Sequence, residues 1–428
     1  MKKVAAVLTI MITGLSALLQ AGQPNPRFFP MGFDVPASLG QIFNTLTADQ
    51  GLDNRGYRYL LVSYNPRGAE SHYSLKTLRV NPVSRRYQLL MPDMSNPTQW
   101  LDPDQDIMAQ LNSYDRALLA SRQYQVLGAA NRNGLLVGSL SKSPQDSLKP
   151  AWVKPGSTQW QLLSVPKTVT GILPIAVSGD GQLIIGVATL QQSSWLFYWS
   201  LEADGYKLHQ VQDELLAKHL ENCDPDLEIC EQLYLNAHSE NLETSLFTLH
   251  EQFKGFNAFM LQRQGNALTV KWLPDDDDYK GVSVNRTGDT IAVYRPSDAQ
   301  IHELNVSNLE PTGRYSLSQL GVEESNWAGG IPVSLNPGKC ALSGILKFPK
   351  AGLNYIGYCD HYIAAASALE DSRTPLNYLV SQIGRSHFDL SYTNQTGTTL
   401  AEIWIAGSYY QSSPQNNNNT WSFLYPLK

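Results

Sequence analysis

Residues 174–190 read PIAVSGDGQLIIGVATL: a short apolar strand, a serine, a tight turn at Gly181, then a second apolar strand. Short apolar strands joined by a polar glycine turn predict a β-hairpin. The pattern recurs as VLGAANRNGLLVGSL (126–140), KGVSVNRTGDTIAVY (280–294), IPVSLNPGKCALSGIL (331–346) and NYLVSQIGRSHFDLSYT (377–393). The turn glycines Gly134, Gly181, Gly288, Gly338 and Gly384 are spaced 47, 107, 50 and 46 residues apart. The long gap is about twice the others, and midway through it LYLNAHSENLETSLFTL (233–249) carries the pattern without its glycine. A further copy, YLLVSYNPRGAESHYSL (59–75), has its Gly68 placed 66 residues before Gly134. Seven units result.

A second hairpin follows inside the units. AWVKPGSTQWQLL (151–163), WLFYWSLEADGYKLHQV (195–211) and AFMLQRQGNALTVKWL (258–273) each hold two strands around a glycine turn. Measured from the unit glycine, Gly156 lies 22 residues on, Gly205 lies 24 on and Gly313 lies 25 on. Each unit therefore holds four short strands in two consecutive hairpins, the content of one propeller blade. Two stacked β-sandwiches would explain the strands but not the period. The expected fold is all-β, a propeller of about seven four-stranded blades with two short helical insertions. Those insertions are residues 104–121 and 211–221, where apolar side chains fall at helical spacing. Residues 22–56, rich in proline, read as an extended strap or part of ring closure, and 57–428 as the repeat domain.

Val177, Ser178, Asp180, Gly181 and Gly186, with the aromatic strand downstream, resemble the HAF-type extracellular repeat of bacterial exported proteins and the repeat of TolB-like propellers. The other units share the Ser or Asn and the Gly. The resemblance implies export and repeat architecture, and brings no catalytic residues with it.

Compartment is read separately. Lys2 and Lys3, an apolar run from Val4 to Leu19 and the small Ala21 form a bacterial secretory signal over residues 1–21. An uncleaved anchor helix is the alternative, for which the run is short. No later stretch reaches about eighteen apolar residues, so no span is expected in the mature chain. The four cysteines fall in two local pairs, Cys223 with Cys230 and Cys340 with Cys359. In an exported chain these predict two disulfides, each contributing roughly 2.5–3 kcal/mol through loop closure. A metal reading would need a CxxC pair or a Cys/His cluster, and neither pair has one. Secreted or periplasmic placement follows.

The chain has 428 residues, 42% of them apolar and 16% charged, with a net charge of −6. A mildly acidic chain without basic clusters is a poor partner for nucleic acid or anionic membrane. The eight histidines show no HxH or HExxH spacing, and neither a GxSxG elbow nor a glycine-rich phosphate loop occurs. No catalytic residue, metal ligand or cofactor is assigned. Asp102, Asp104 and Asp106 alternate as in a calcium loop, but Ile107 and Ser113 stand where its Gly and Glu belong. They read better as an acidic start to the helix that follows. Asp275 to Asp278 form a charge run expected in an exposed loop, with cation or basic-peptide capture as its functional reading.

Three functions fit this pattern. The favoured one is an exported, monomeric, non-catalytic scaffold that binds a protein or glycan partner through its loops. A propeller enzyme acting on glycans, hydrolase or lyase, would bring carboxylates together from several blades. An envelope or surface-assembly component is the third.

Overall fold

The structure, a computed structural model, describes side chains across most of residues 55–314. Outside that range it describes backbone strand pairing at 29–31 and 40–47 and in stretches of 315–427. The chain opens with β1 (Phe29–Met31), β2 (Gly40–Thr47), β3 (Arg58–Pro66), β4 (Ser74–Asn81), β5 (Arg86–Leu89) and the helix α1 (Ile107–Gln110). Four-stranded antiparallel meanders then follow in sequence. The first is β6 (Tyr124–Ala130), β7 (Leu136–Ser141), β8 (Lys149–Val153) and β9 (Trp160–Leu162). The second is β10 (Ile172–Val177), β11 (Leu183–Leu190), β12 (Ser193–Glu202) and β13 (Gly205–Gln210). After α2 (Glu214–Glu221) comes a small hairpin, β14 (Cys223–Asp224) with β15 (Ile229–Cys230).

The third meander is β16 (Gln232–His238), β17 (Thr244–Glu251), β18 (Gly255–Gln264) and β19 (Ala267–Trp272). The fourth is β20 (Lys280–Val284), β21 (Thr290–Arg295), β22 (Gln300–Asn305) and β23 (Pro311–Ser316). A fifth, β24 (Ser334–Asn336), β25 (Ala341–Phe348), β26 (Ala351–Tyr358) and β27 (His361–Ile363), has the same order. The last strands, β28 (Phe388–Asn394), β29 (Ile403–Ser412) and β30 (Asn418–Leu427), lie in one eight-stranded sheet with β2 to β5, and β1 adds to β30. Strands from the two ends of the chain thus share a sheet. Beyond β5, Tyr87 and Leu101 exchange backbone hydrogen bonds of 2.9 and 2.7 Å as an isolated bridge.

The core lies between successive sheets, and strand alternation explains why. Along β12, Trp195, Phe197 and Trp199 pack on Val137 and its neighbours in the first meander. The intervening Leu196 and Tyr198 pack on Phe247 and Phe259 of the third. Neighbouring residues of a strand project to opposite faces, so one aromatic strand feeds two interfaces. Leu246, Met260, Ile291 and Val293 continue the series between the third and fourth meanders. Helix α2 closes one such interface from outside. Asp213 caps it through Leu216 N (2.8 Å), and Leu216 and Leu220 enter the core.

The other expected helix, 104–121, is interrupted rather than continuous: among its described residues 107–110 form α1, 113, 116 and 117 are helical again with Arg116 N donating to Asn112 O (3.1 Å), and the helix breaks at Leu111 and Asn112. The Gln110 side chain turns back onto the Asp102 backbone, accepting from Asp102 N (2.7 Å) and donating to Asp102 O (2.6 Å).

The first strand of each of four meanders carries a bulge, at Gly128, Ile175, Asn236 and Val282. A bulge increases local twist and lets the strand edge bend. At Gly128 the backbone passes so close to the next sheet that a Cβ would lie 1.7 Å from the Pro174 carbonyl oxygen. Hydroxyls also join sheets here. Thr77 Oγ1 donates to Gln125 O (3.3 Å) and Ser139 Oγ to Ile172 O (2.9 Å), while Thr248 Oγ1 accepts from Gly281 N (2.8 Å).

Lys76 on β4 is fully buried, and burial pulls its pKa down from 10.5 to about 7. The folded state then binds fewer protons than the unfolded chain between pH 7 and 10.5, so the cost of the amine is largest below pH 7 and fades as pH rises.

Two outcomes are expected. Gly128→Ala should destabilise by more than the ~1–3 kcal/mol of ordinary overpacking, because its clash is with backbone; chemical denaturation measures this. Lys76→Met should melt higher than the parent at pH 6–7, with the gap closing towards pH 10; equal gaps at both pH values would refute the buried-amine account.

Candidate functional site

Each meander has two ends: one bears the first turn, between its first and second strands, and the other bears the next loop. At the first end the turns share a construction. Gly134 N donates to Asn131 O (3.0 Å), Gly181 N to Ser178 O (2.9 Å), Leu242 N to Ser239 O (3.1 Å) and Gly288 N to Asn285 O (3.2 Å). All four donors are left-handed, with φ of 79°, 70°, 56° and 81°. Three are glycine, which meets no steric penalty there; the fourth is leucine, and it is strained. Leu242 is fully buried in the interface core, so its side chain offsets that strain by packing.

The residue three before each of these closes the loop with its side chain. Ser178 Oγ accepts from Leu183 N (2.9 Å) and Ser239 Oγ from Thr244 N (3.0 Å). Asn131 Oδ1 accepts from Leu135 N (2.9 Å), and Asn285 Oδ1 from Thr290 N (3.1 Å). Inward-pointing amides of a tight loop need such an acceptor.

Successive turns are also bonded to each other. Asn131 Nδ2 donates to Ser178 O (2.8 Å) and Asn133 Nδ2 to Gly179 O (2.7 Å). Gly179 N donates to Glu240 O (2.6 Å) and Asp180 N to Asn241 Oδ1 (3.1 Å). Thr244 Oγ1 donates to Gly288 O (2.6 Å). Arg263, near the end of β18, bonds Asp180 Oδ2 (2.8 Å) and Asn241 O (2.9 Å) through Nη1. Burial pushes the Asp180 carboxyl up, but hydrogen bonds from Ser178, Gln182 N and Arg263, with the guanidinium charge, hold it below its ordinary value. Tyr206 OH donates to Gly181 O (2.6 Å); burial and the Asp180 charge raise its pKa to about 12.

At the opposite end, the third and fourth meanders meet. Asp278, left-handed at φ 48°, accepts from Phe256 N (2.5 Å), and Lys280 Nζ lies 3.6 Å from the Phe256 ring centroid. Within the fourth meander, the Asp298 carboxylate binds Arg295 and buried His302 (3.0 Å to Nε2), and accepts from Gln300 N (3.1 Å). Tyr279 meets the His302 ring edge-on at 6.1 Å. Burial raises Asp298, and its three hydrogen-bond donors outweigh that and leave it lowered.

A Ser–His–Glu grouping also occurs, on β12 and β13. Ser200 Oγ lies 2.9 Å from His209 Nε2, and Glu202 Oε1 lies 3.6 Å from that same nitrogen. In a hydrolytic triad the acid holds the other ring nitrogen, and the serine must be reachable. Ser200 is buried, so the grouping is a cross-strand polar contact.

Of the residues singled out from sequence, Gly134, Gly181 and Gly288 sit in the turns just described. Gly338, Gly384, Cys340 and Cys359 lie outside the described residues, as do Asp104, Asp106 and Asp275 to Asp277. Cys223 and Cys230 are backbone partners in β14–β15. Among the described residues no group of three or more His, Cys, Asp or Glu is arranged to hold a metal ion, and no helix is long and apolar enough to cross a membrane. Sequence reading missed Arg263, Asp298 and His302. Arg263 stands 83 residues from Asp180, and nothing local marks it.

No protein-family model and no curated protein sequence matches the chain. Among solved structures it is similar in fold to a prolyl endopeptidase, with TM-score 0.48 and 10% identity, covering 91% of this chain and 51% of that one. The chain thus spans about half the length of that enzyme. The β-propeller domain of the Trilobed protease from Pyrococcus furiosus, which has an open velcro topology, gives 0.46 and 6%, covering 91% and 98%. TolB from Acinetobacter baumannii gives 0.32 and 11%, covering 86% and 80%.

The Asp180–Arg263 pair is testable. A double-mutant cycle with Asp180→Asn and Arg263→Gln should give a coupling of about 0.2–1 kcal/mol at pH 7, modest because the carboxylate is partly exposed. A carboxyl held below 3.8 contributes above that pH and loses its contribution as pH falls through the folded value. The coupling should therefore weaken as pH falls below 3.8; a coupling that stayed constant over the whole acid range in which the protein remains folded would contradict the ion-pair assignment.

Proposed function

We propose that the chain is an exported, non-catalytic β-propeller scaffold, secreted or periplasmic, that binds a protein or glycan partner through its loops. The sheets group into seven units if the eight-stranded sheet divides between its N-terminal and C-terminal strands. In that arrangement β1 on β30 joins the ends of the ring, as the three residue pairs Phe29↔Leu424, Pro30↔Phe423 and Met31↔Ser422 suggest. The HAF-type repeat, the signal over residues 1–21 and a second disulfide between Cys340 and Cys359 complete the reading. The β25–β26 register supports that disulfide, because Ala341 and Tyr358, the chain neighbours of these cysteines, are direct partners.

The observation that carries the scaffold reading concerns carboxylates. Asp180, Asp289 and Asp298 are each held below the ordinary carboxylate range by the hydrogen bonds that shape their turns. A carboxyl held ionised is a poor proton donor near neutral pH, and these groups are already engaged in joining strands and sheets. Loops then remain as the variable surface.

A glycan-acting enzyme is the second reading. One observation favours it: Tyr279, Arg295, Asp298 and His302 gather at one end of the fourth meander. An ionised Asp298 could serve as base or nucleophile there.

A thermal-shift screen of the chain from Gly22 onward against a glycan panel, and against calcium with a chelator control, separates the two. A ligand at a hundred times its dissociation constant adds about 2.7 kcal/mol of stability. The scaffold reading expects a raised melting temperature with an unconsumed glycan, kept in Asp298→Asn and His302→Ala. Turnover of a glycan that either variant abolishes, while still folding and binding it, would overturn the scaffold in favour of the enzyme.

A further inference from the structure

The β14–β15 ladder is two residue pairs long, Cys223↔Cys230 and Asp224↔Ile229, with four residues of sequence between its strands. A two-stranded ribbon this short cannot hold itself in water. Its sequence offers little to help: CDPDLEIC carries three carboxylates, a proline and one cysteine at each end. Position within the fold makes the hairpin consequential. It begins two residues after α2, whose Leu216 and Leu220 seal the interface between the second and third meanders, and ends two residues before β16. The far end of the helix, where Leu220 enters the core, therefore leads directly into the hairpin.

We infer that Cys223 and Cys230 form a cross-strand cystine that clamps the exit of α2 and so keeps the helix in the interface. Directly opposed residues of an antiparallel pair have Cα atoms about 4.5 or 5.5 Å apart, within the 4.4–6.8 Å span that a disulfide requires. The bond forms by thiol–disulfide exchange with a disulfide-bearing oxidant, either a small-molecule disulfide or a disulfide oxidoreductase. One cysteine thiolate attacks the oxidant's disulfide and displaces one of its sulfurs as a thiol. The second cysteine then attacks the mixed disulfide and releases the other. Two protein thiols become one cystine, and one oxidant disulfide becomes two thiols. This inference stands apart from the scaffold reading, since it concerns the fold whatever the loops bind.

The contacts of α2 define what the clamp protects. His219 lies 5.4 Å from the Trp272 ring, and Trp272 Nε1 donates to the capping Asp213 (3.3 Å). Trp272 belongs to the third meander, so the helix is anchored on both sides of the interface. With the cystine reduced, the segment between α2 and β16 gains freedom that competes with this docking.

The experiment uses the full chain, oxidised with oxidised glutathione and digested without reduction. A linked peptide pair joining Cys223 to Cys230, lighter by two hydrogens than the reduced pair, is expected. Amide hydrogen exchange is then compared between the parent and Cys223→Ser/Cys230→Ser. Exchange at 213–222 should rise at least tenfold in the variant, while β6 to β9 keep the parent's rates. Those sheets report that the variant still folds. Free thiols at both positions after oxidation, or a cystine joining either to Cys340 or Cys359, would overturn the pairing. Unchanged exchange at 213–222 in a folded variant would overturn the clamp.

Discussion

A polar side chain at the start of each first turn fixes the geometry on which the rest of this molecule depends. Asn131, Ser178, Ser239 and Asn285 each accept amide hydrogens that a tight loop would otherwise leave pointing at nothing. The loop so closed presents its carbonyls outward, and side chains of the preceding meander reach them. Intrasheet closure and intersheet bonding are consequences of one arrangement. Remove the closing residue, and the carbonyl that the neighbouring sheet uses is no longer held in place.

Polar bonding and apolar packing divide the work by position. Between sheets, the strand centres meet through large buried groups such as Trp199, Phe247 and Phe259. At the strand ends the sheets are joined by backbone, hydroxyl and amide contacts instead. Buried apolar area supplies most of the favourable free energy but little direction. The end contacts supply register, because a one-residue slip would misplace every donor at once.

The strand pattern and its period were legible in the sequence, because alternation and glycine turns are local signals. Gly181 and Gly288 mark their turns plainly. The turn at Leu242 was found only through Ser239 and its flanking strands, since a buried leucine in left-handed conformation obeys no local preference. Bulges at Gly128, Ile175, Asn236 and Val282 were invisible, because a bulge is a property of pairing between two strands. Arg263 and the Asp298–His302 contact stayed hidden for a related reason: their partners are chosen by the packing of sheets. The helix at 104–121 was legible from apolar spacing but its break was not: it is interrupted at Leu111 and Asn112, and Gln110 just before the break bonds backbone outside the helix.

Pairing of β1 with β30 has a consequence for the order of events as the chain emerges. The meanders are built from neighbours in sequence, so each can form once its own fifty or so residues are available. The strand at 29–31 has its described partner at 422–424, so it must wait for almost the entire chain. Closing so long a loop is entropically slow, and until then an unpaired edge is open to any other strand. A chaperone that shields an early β-strand edge during synthesis would therefore protect a step at which this molecule is exposed to mispairing.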